Sequence, residues 1–350
     1  MLFNKDGAGS AEMKSLLGFI YKSIKFENLT YYISFAERDI KNIISKAVMD
    51  VAQDHYISEN YKLIEPDEDH PEYTILDELV TKIQFPVAVH AYRRFVPSND
   101  LTHSDKGRQI FVSNEEKPAF EWMIDKDNQN LLDLANEATD LLLEFLDEHV
   151  DDTIIPPVEE NEDPLPAVLL IPWATSNHFI VSKQLFINNA REFDLVFAIN
   201  SSRRVYITLL PFIKHVQLTI IRPCLTDDQY EGLLDEVMNQ DIPEDSQIII
   251  DLIRQPLGLL ALSMAIRRLS VELLPDGLFT SMVGGVVRTK QATAKIDRNE
   301  VAGLLEKDAQ KQLGRLQEYL RKLSLIENGE AYEPIDHTER IDEDQKYVRL

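Results

Sequence analysis

One cysteine, Cys224, stands in the whole chain, so no internal disulfide can form, a thiolate zinc site is excluded, and a reducing compartment is the expected setting. Basic residues are also short: Lys and Arg total 36 against 60 Asp and Glu, a formal net charge of −24. A surface so acidic repels phosphate, which argues against a general nucleic-acid binder. It suits a basic partner, a passage through which DNA slides without sticking, or a well-solvated surface alone. Long apolar runs are missing. The longest, Leu257 to Ile266, is bounded by Arg254 and Arg267 and is about half of what crossing a bilayer needs, so no membrane association is expected. The opening residues lack the charged start, apolar stretch and small-residue cleavage site of a signal peptide.

Catalytic and metal-binding motifs are missing as well. The eight histidines include no HExxH and no pair at i, i+4. His149 lies among Asp147, Glu148, Asp151 and Asp152, a pattern that reads as a helix end fraying into an acidic segment rather than as a metal site. Gly284-Gly285 lacks the lysine of a P-loop and the spacing of a dinucleotide fingerprint, so it reads as a turn. Cys224 follows Pro223 with only Arg222 as a basic flank, too little to activate a thiol. No G-x-S-x-G occurs, and the carboxylates are dispersed rather than paired for acid–base work. No cofactor and no enzymatic activity are expected.

What is present is a repeat. Asp77 to Ile83 sits beside Asp251 to Leu257, and Ala91-Tyr-Arg-Arg-Phe95 beside Ala265-Ile-Arg-Arg-Leu269, both at an offset of 174 (from Asp77 to Asp251). The offset holds where Leu131, Ala135, Leu142, Glu144 and Leu146 meet Leu305, Ala309, Leu316, Glu318 and Leu320. Upstream, Tyr32-Ile-Ser-Phe35 meets Tyr206-Ile-Thr-Leu209, and Phe19 meets Phe193, with one single-residue slip where Ile40-Lys41 falls opposite Ile213-Lys214. A chain of 350 residues has room for two such modules, and at 44% hydrophobic each can bury a core.

Each copy reads as the same run of helices. The first is placed at 11–24 and 182–198, where Phe186, Ile187, Ala190, Phe193 and Phe197 recur at helical spacing. The second is placed at 30–53 and, in the other copy, from the cap Asn200-Ser201-Ser202 to Pro223. Copy two adds a short helix near 227–239 with Thr226 as cap and Tyr230, Leu233, Leu234 and Val237 on one face. The third helix (73–96 and 244–272) is apolar nearly all round at its centre, as a helix inside a bundle must be. The fourth (128–149 and 298–324) is amphipathic, with Asp297 and Glu300 resembling a capping box.

Between the third and fourth helices lies a stretch of different character. Gln109 to Ser113 predicts a strand in copy one, and Phe279 to Arg288 predicts a hairpin turning at Gly284-Gly285 in copy two. Loops of this length inside a compact domain usually have a job, here expected to be contact with a neighbouring subunit. The predicted fold class is therefore mainly α, two tandem helical-bundle modules, each with a long loop or small β-hairpin between its last two helices. The expected boundaries are 1–150 for copy one, 151–172 for an acidic, proline-rich linker, 173–325 for copy two and 326–350 for an acidic tail.

Two basic features repeat or stand out. Arg93-Arg94 and Arg267-Arg268 each stand near the C-terminal end of a third helix, where they complement the helix dipole and are candidates for ion pairs across a subunit contact. Arg203-Arg204 follow the capping serines and are open to an acidic neighbour.

From Trp173 to Pro223 the residues carry a resemblance. Trp173 with Ser176, Phe186-Ile187, Glu192-Phe193, Asn200-Ser-Ser-Arg-Arg204, Leu210-Pro211 and Ile221-Arg-Pro223 resemble the head–tail connector (adaptor) proteins of tailed phages, in a long two-module version found in phages and prophages of Bacteroidetes, including crAss-like phages. The likeness covers roughly 20–325, and its motifs are packing motifs. Where that family continues into a glycine turn after Ile-Arg-Pro, this chain reads Cys224-Leu-Thr-Asp-Asp. The resemblance implies a non-enzymatic structural protein of the virion, at the head–tail junction and assembled in the host cytoplasm. It implies a homo-oligomeric ring, often dodecameric, that binds the portal and tail or other neck proteins while DNA passes without specific binding. Under this expectation the 97–127 and 273–296 loops, with Arg93, Arg94, Arg203, Arg204, Arg267, Arg268, Gly284 and Gly285, form the subunit or partner interface. The rival expectation is a monomeric or dimeric helical-repeat scaffold that binds a basic protein.

Overall fold

The computed structural model describes residues 1–18, 25–62, 71–99, 102–104, 107–109, 120–154, 167–269 and 293–328, and it is mainly helical. The chain forms two compact units: Met1–Gln184 with Asn188–Leu210, and Leu185–Ile187 with Pro211–Leu350.

In the first unit, α1 (Gly9–Leu17), α2 (Thr30–Ile44) and α3 (Lys46–Ile57) surround α4 (Pro71–Asn99), which packs against α5 (Glu121–Glu148). The apolar centre of α4 explains its place. Leu79, Val80, Ile83, Val87, Ala88, Val89 and Ala91 are all fully buried, pointing to every side of the helix. A hairpin of β1 (Thr102–Ser104) and β2 (Gly107–Gln109) stands between α4 and α5. The strand predicted at 109–113 is thus shifted toward the N-terminus, with only Gln109 shared and 110–113 outside the described residues.

Residues 30–53 do not form one helix. Ser45 takes φ 88° and ψ 161°, which ends α2 and starts α3, and its Oγ accepts a weak cap bond from the Val48 N–H at 3.4 Å. No glycine or proline marks the break. The expected linker also differs. Antiparallel pairing of β3 (Thr153–Ile154) with β4 (Val168–Leu169) brings the chain back beside itself, and the Leu170 N–H donates to the Asp152 carbonyl at 2.7 Å. Leu170, Ile171 and Trp173 are then buried in the first unit's core, so the 151–172 segment does not separate the units. After it come α6 (Asn177–Lys183), α7 (Ala190–Asp194) and the start of α8 (Arg203–Val216).

In the second unit, the end of α8 runs into a π-helical turn, Gln217–Ile221, and a 3-10 turn, Arg222–Cys224. Helix α9 (Asp227–Asn239) begins at the predicted cap, where Thr226 and Gln229 form a capping box. Helix α10 (Glu244–Arg268) packs along α11 (Thr293–Glu327), pinned by the Ser263 hydroxyl donating to the Ala302 carbonyl at 2.9 Å. Among the described residues α10 is the one helix long and apolar enough to cross a membrane, but its apolar side chains form the centre of this unit. The predicted cap position Asp297 lies inside α11, four residues past its start at Thr293. The predicted turn at Gly284-Gly285 and the tail beyond 328 lie outside the described residues.

Positions 174 apart are buried alike. Ile83 and Leu257, Val87 and Ala261, Ala88 and Leu262, Ala91 and Ala265, Ala135 and Ala309, and Leu142 and Leu316 are all fully buried. Each unit therefore centres on the same pair of helices. With the one-residue slip, Ser45 falls opposite Leu218, inside the π-helical turn. Both copies thus interrupt the second helix at the same place, by different local means.

The helix expected at 182–198 is two short helices with a bent, non-helical piece between them. In the second unit, the Phe186 N–H donates to Gln217 Oε1 at 2.9 Å, and Arg254 Nε donates to the Phe186 carbonyl, also at 2.9 Å. Gln217 is itself fixed by donating to the Tyr230 hydroxyl at 2.8 Å. Long-range bonds to the backbone outweigh the helical spacing of the apolar residues here.

Candidate interaction surfaces

The six arginines singled out in the sequence fall into different settings. Arg203, at the first turn of α8, places Nε 2.8 Å from Asp147 Oδ2 and Nη1 3.3 Å from Glu144 Oε1. Asp140, one turn earlier on α5, accepts from the Ser202 hydroxyl at 2.7 Å and the Arg204 N–H at 2.8 Å. Asp140, Glu144 and Asp147 recur at i, i+4 and i+7, so one acidic face of α5 meets the positive end of the α8 dipole. That stripe was visible in the sequence; its partner was not. Ser202 also caps α8, accepting from the Val205 N–H at 3.2 Å, as the serine cluster predicts. Asp194 holds the preceding left-handed turn at Asn200 and Ser201 by accepting from the Ile199 and Ser201 N–H groups, each at 2.6 Å.

Arg94 pairs with Asp39 of α2. Burial works against ionisation of Asp39, but the hydrogen bond and charge of Arg94, then those of Arg38, outweigh it and hold the carboxyl below its ordinary range. Arg93 is half-buried and has partners of its own. One turn before Arg94, His90 is half-buried. Desolvation first, then the charges of Arg94, Arg93 and Arg204, push its pKa down to about 4, with Asp39 opposing. In the second unit Arg267 Nη2 lies 2.6 Å from Glu306 Oε2 on α11, whereas Arg268 is exposed. The Arg-Arg motif is thus used alike in part: one arginine of each pair ties the third helix to a neighbouring helix of its own unit.

His149, expected at a frayed helix end, does cap α5, and its Nδ1 bonds Asp152 Oδ2 at 2.7 Å. Among the described residues no group of three or more His, Cys, Asp or Glu side chains is close enough to hold a metal ion. Cys224 is a half-exposed free thiol whose Sγ donates to the Ile220 carbonyl.

The surface also carries apolar side chains that sequence reasoning passed over. Phe120, Trp122, Met123 and Ile124 stand exposed in succession at the start of α5, Phe120 at 68% and Trp122 at 62%. The signal was present as a cluster of apolar residues at the junction of a loop and a helix. Clusters of this kind mark interaction sites more often than single exposed leucines do.

A protein-family model described as "Family of unknown function (DUF6712)" matches residues 40–162 and 221–333. No curated protein and no solved structure matches the chain. The first matched stretch contains α4 and α5 and the second contains α10 and α11, the two helix pairs that occupy equivalent places in the repeat. Together these stretches make up more than half of the sequence, and the chain belongs to this family of unknown function, DUF6712.

Proposed function

We propose that this protein is a structural, non-enzymatic component of a phage neck that assembles into a ring between portal and tail and extends the DNA channel. The observation that carries the reading is the exposed succession Phe120, Trp122, Met123 and Ile124. It falls inside the 97–127 segment expected from the sequence to make subunit contacts. An apolar cluster of this size is costly to leave in water and gains most by burial against another protein. The net charge of −24 supports the same reading, because a channel wall of that sign repels passing DNA. Arg268, exposed at the end of α10, is the arginine of the set best suited to an ion pair with a neighbouring copy.

Native mass spectrometry of the purified chain, with and without the portal protein of the same genome, tests this. A closed ring or portal-dependent assembly is expected. A monomer indifferent to portal at every concentration overturns the reading.

A second reading, a scaffold for a basic protein, is favoured by one stretch. From Pro223 to Ile253 the chain carries acidic residues throughout and no Lys or Arg, with Met238 and Ile248 exposed among them. Capture of a basic partner that 0.5 M salt releases, in the absence of any ring, would move the weight to it.

A further inference from the structure

Two helices of the second unit carry glycines in the middle of solvent-facing sides of opposite charge. On α9, Tyr230, Leu233 and Val237 are buried, and the opposite side carries Asp228, Glu231, Gly232 and Asp235, all exposed. No Lys or Arg stands anywhere between Pro223 and Ile253. Asp228, Glu231 and Asp235 have no ion-pair or hydrogen-bond partner among the described residues. On α11, Ala302, Leu305, Ala309 and Leu316 are buried, and the opposite side carries Gly303, Lys307, Lys311, Gly314 and Arg315. Arg321 and Lys322 continue that strip, and Glu300 and Glu318 are the acidic residues on it. Lys311 reaches Asp308 at 3.4 Å and Arg315 reaches Gln312 at 3.2 Å, contacts too exposed to hold either cation firmly. The strip is therefore basic, on a chain whose net charge is −24.

Gly232, Gly303 and Gly314 lie inside their helices, and a Cβ built at any of them would meet nothing within 4 Å. No turn and no packing within the chain calls for them, and each weakens its helix relative to alanine. A glycine on a helix face does let a second helix approach closely. We infer that α9 of one copy lies across α11 of the next, with Gly232 against Gly314 and with Asp228, Glu231 and Asp235 against Lys307, Lys311 and Arg315. Gly314 is the crossing point because Lys311 and Arg315 flank it, whereas Glu300 stands one turn from Gly303. Both faces turn away from the core of their own unit, so a copy gives α9 to one neighbour and α11 to the other. Such a contact is heterologous and closes into a ring where the rotation allows. The acidic stretch that calls for a basic partner thus finds one in a second copy of the chain. The contact rests on the ring reading above and supplies its joint.

The test reverses each face in the full chain. Asp228→Lys with Asp235→Lys, and separately Lys311→Glu with Arg315→Glu, should each lower the association constant by roughly a hundredfold. Light scattering across a dilution series, with and without the portal protein of the same genome, reads it. All of these positions are exposed, so the helical circular-dichroism signal is unchanged. Both pairs of changes in one chain, or an equimolar mixture of the two variants, restore association to within about tenfold, because every α9 again meets an α11 of opposite sign. Gly314→Leu raises the melting temperature of the dissociated chain through helix propensity, yet lowers association by about tenfold because its side chain fills the crossing.

A ring that ignores either reversal or Gly314→Leu, or whose loss is not rescued by combining the reversals, overturns this contact and leaves the ring. Open chains that obey the charge swap but never close overturn the ring and leave the contact. If reversing α9 abolishes only the capture of a basic protein, the face belongs to that partner and the contact falls. A monomer in every variant, with and without portal, overturns both.

Discussion

The indole N–H of Trp173 donates to Asp147 Oδ1 at 2.9 Å while the guanidinium of Arg203 takes Oδ2 of the same carboxylate at 2.8 Å. One aspartate near the end of α5 therefore holds both the returning chain after β4 and the first turn of α8. Asp147→Ala leaves the buried indole N–H without its acceptor and Arg203 with Glu144 alone. We expect a loss of about 1–3 kcal/mol in urea unfolding, the typical cost of stranding a buried donor, with the exposed ion pair adding little. An unchanged midpoint would show that the two contacts are dispensable.

Gly9 opens α1 against the ring of Phe26. A Cβ built there would stand 2.7 Å from Cδ2 of that buried ring. Gly9→Ala should lower stability by about 1–3 kcal/mol through overpacking, despite alanine's better helix propensity. The double variant with Phe26→Leu should recover part of the loss, as sites in direct contact are not additive.

Ser45 carries a backbone conformation that suits glycine. Its cap bond to Val48 is long, so little is lost with the hydroxyl. Ser45→Gly is expected to stabilise the protein by about 1 kcal/mol, and Ser45→Val to destabilise it by more. Thermal unfolding of the two variants reads the sign directly.

His90 should make the protein acid-sensitive. Its folded pKa is depressed to about 4 from an ordinary value of 6.5, so the unfolded chain binds the proton first as pH falls. Stability from this group is full above about pH 6.5 and is lost progressively down to about pH 4. His90→Gln should flatten the stability profile in that window and leave it unchanged at pH 8.

The parts of the fold that were legible in the sequence are those where local pattern and tertiary role agree. The all-round apolar centres of α4 and α10, the Thr226 cap of α9 and the Ala91–Ala265 register needed only periodicity and capping chemistry. The failures have a common cause. Phe186 and Ile187 lie at helical spacing, yet they stand outside any helix, where Gln217 and Arg254, far along the chain, bond the Phe186 backbone. The break at Ser45 has no glycine or proline to announce it, and the return of Trp173 depends on Asp147 rather than on its neighbours. Of the interface residues, the arginines were visible as a repeated pair, but that Arg94, Arg203 and Arg267 are taken up by carboxylates of their own unit was not. Nor was the exposure of Trp122, which composition cannot distinguish from a core position.

The pairing of Thr153–Ile154 with Val168–Leu169 has a practical consequence. The two ends of the acidic, proline-rich stretch are stapled side by side, so residues can be added or removed between them without displacing either flank. Among relatives, this is where chain length should vary most freely. It is also where an affinity tag or a fluorescent protein can be spliced in without disturbing the packed helices on either side.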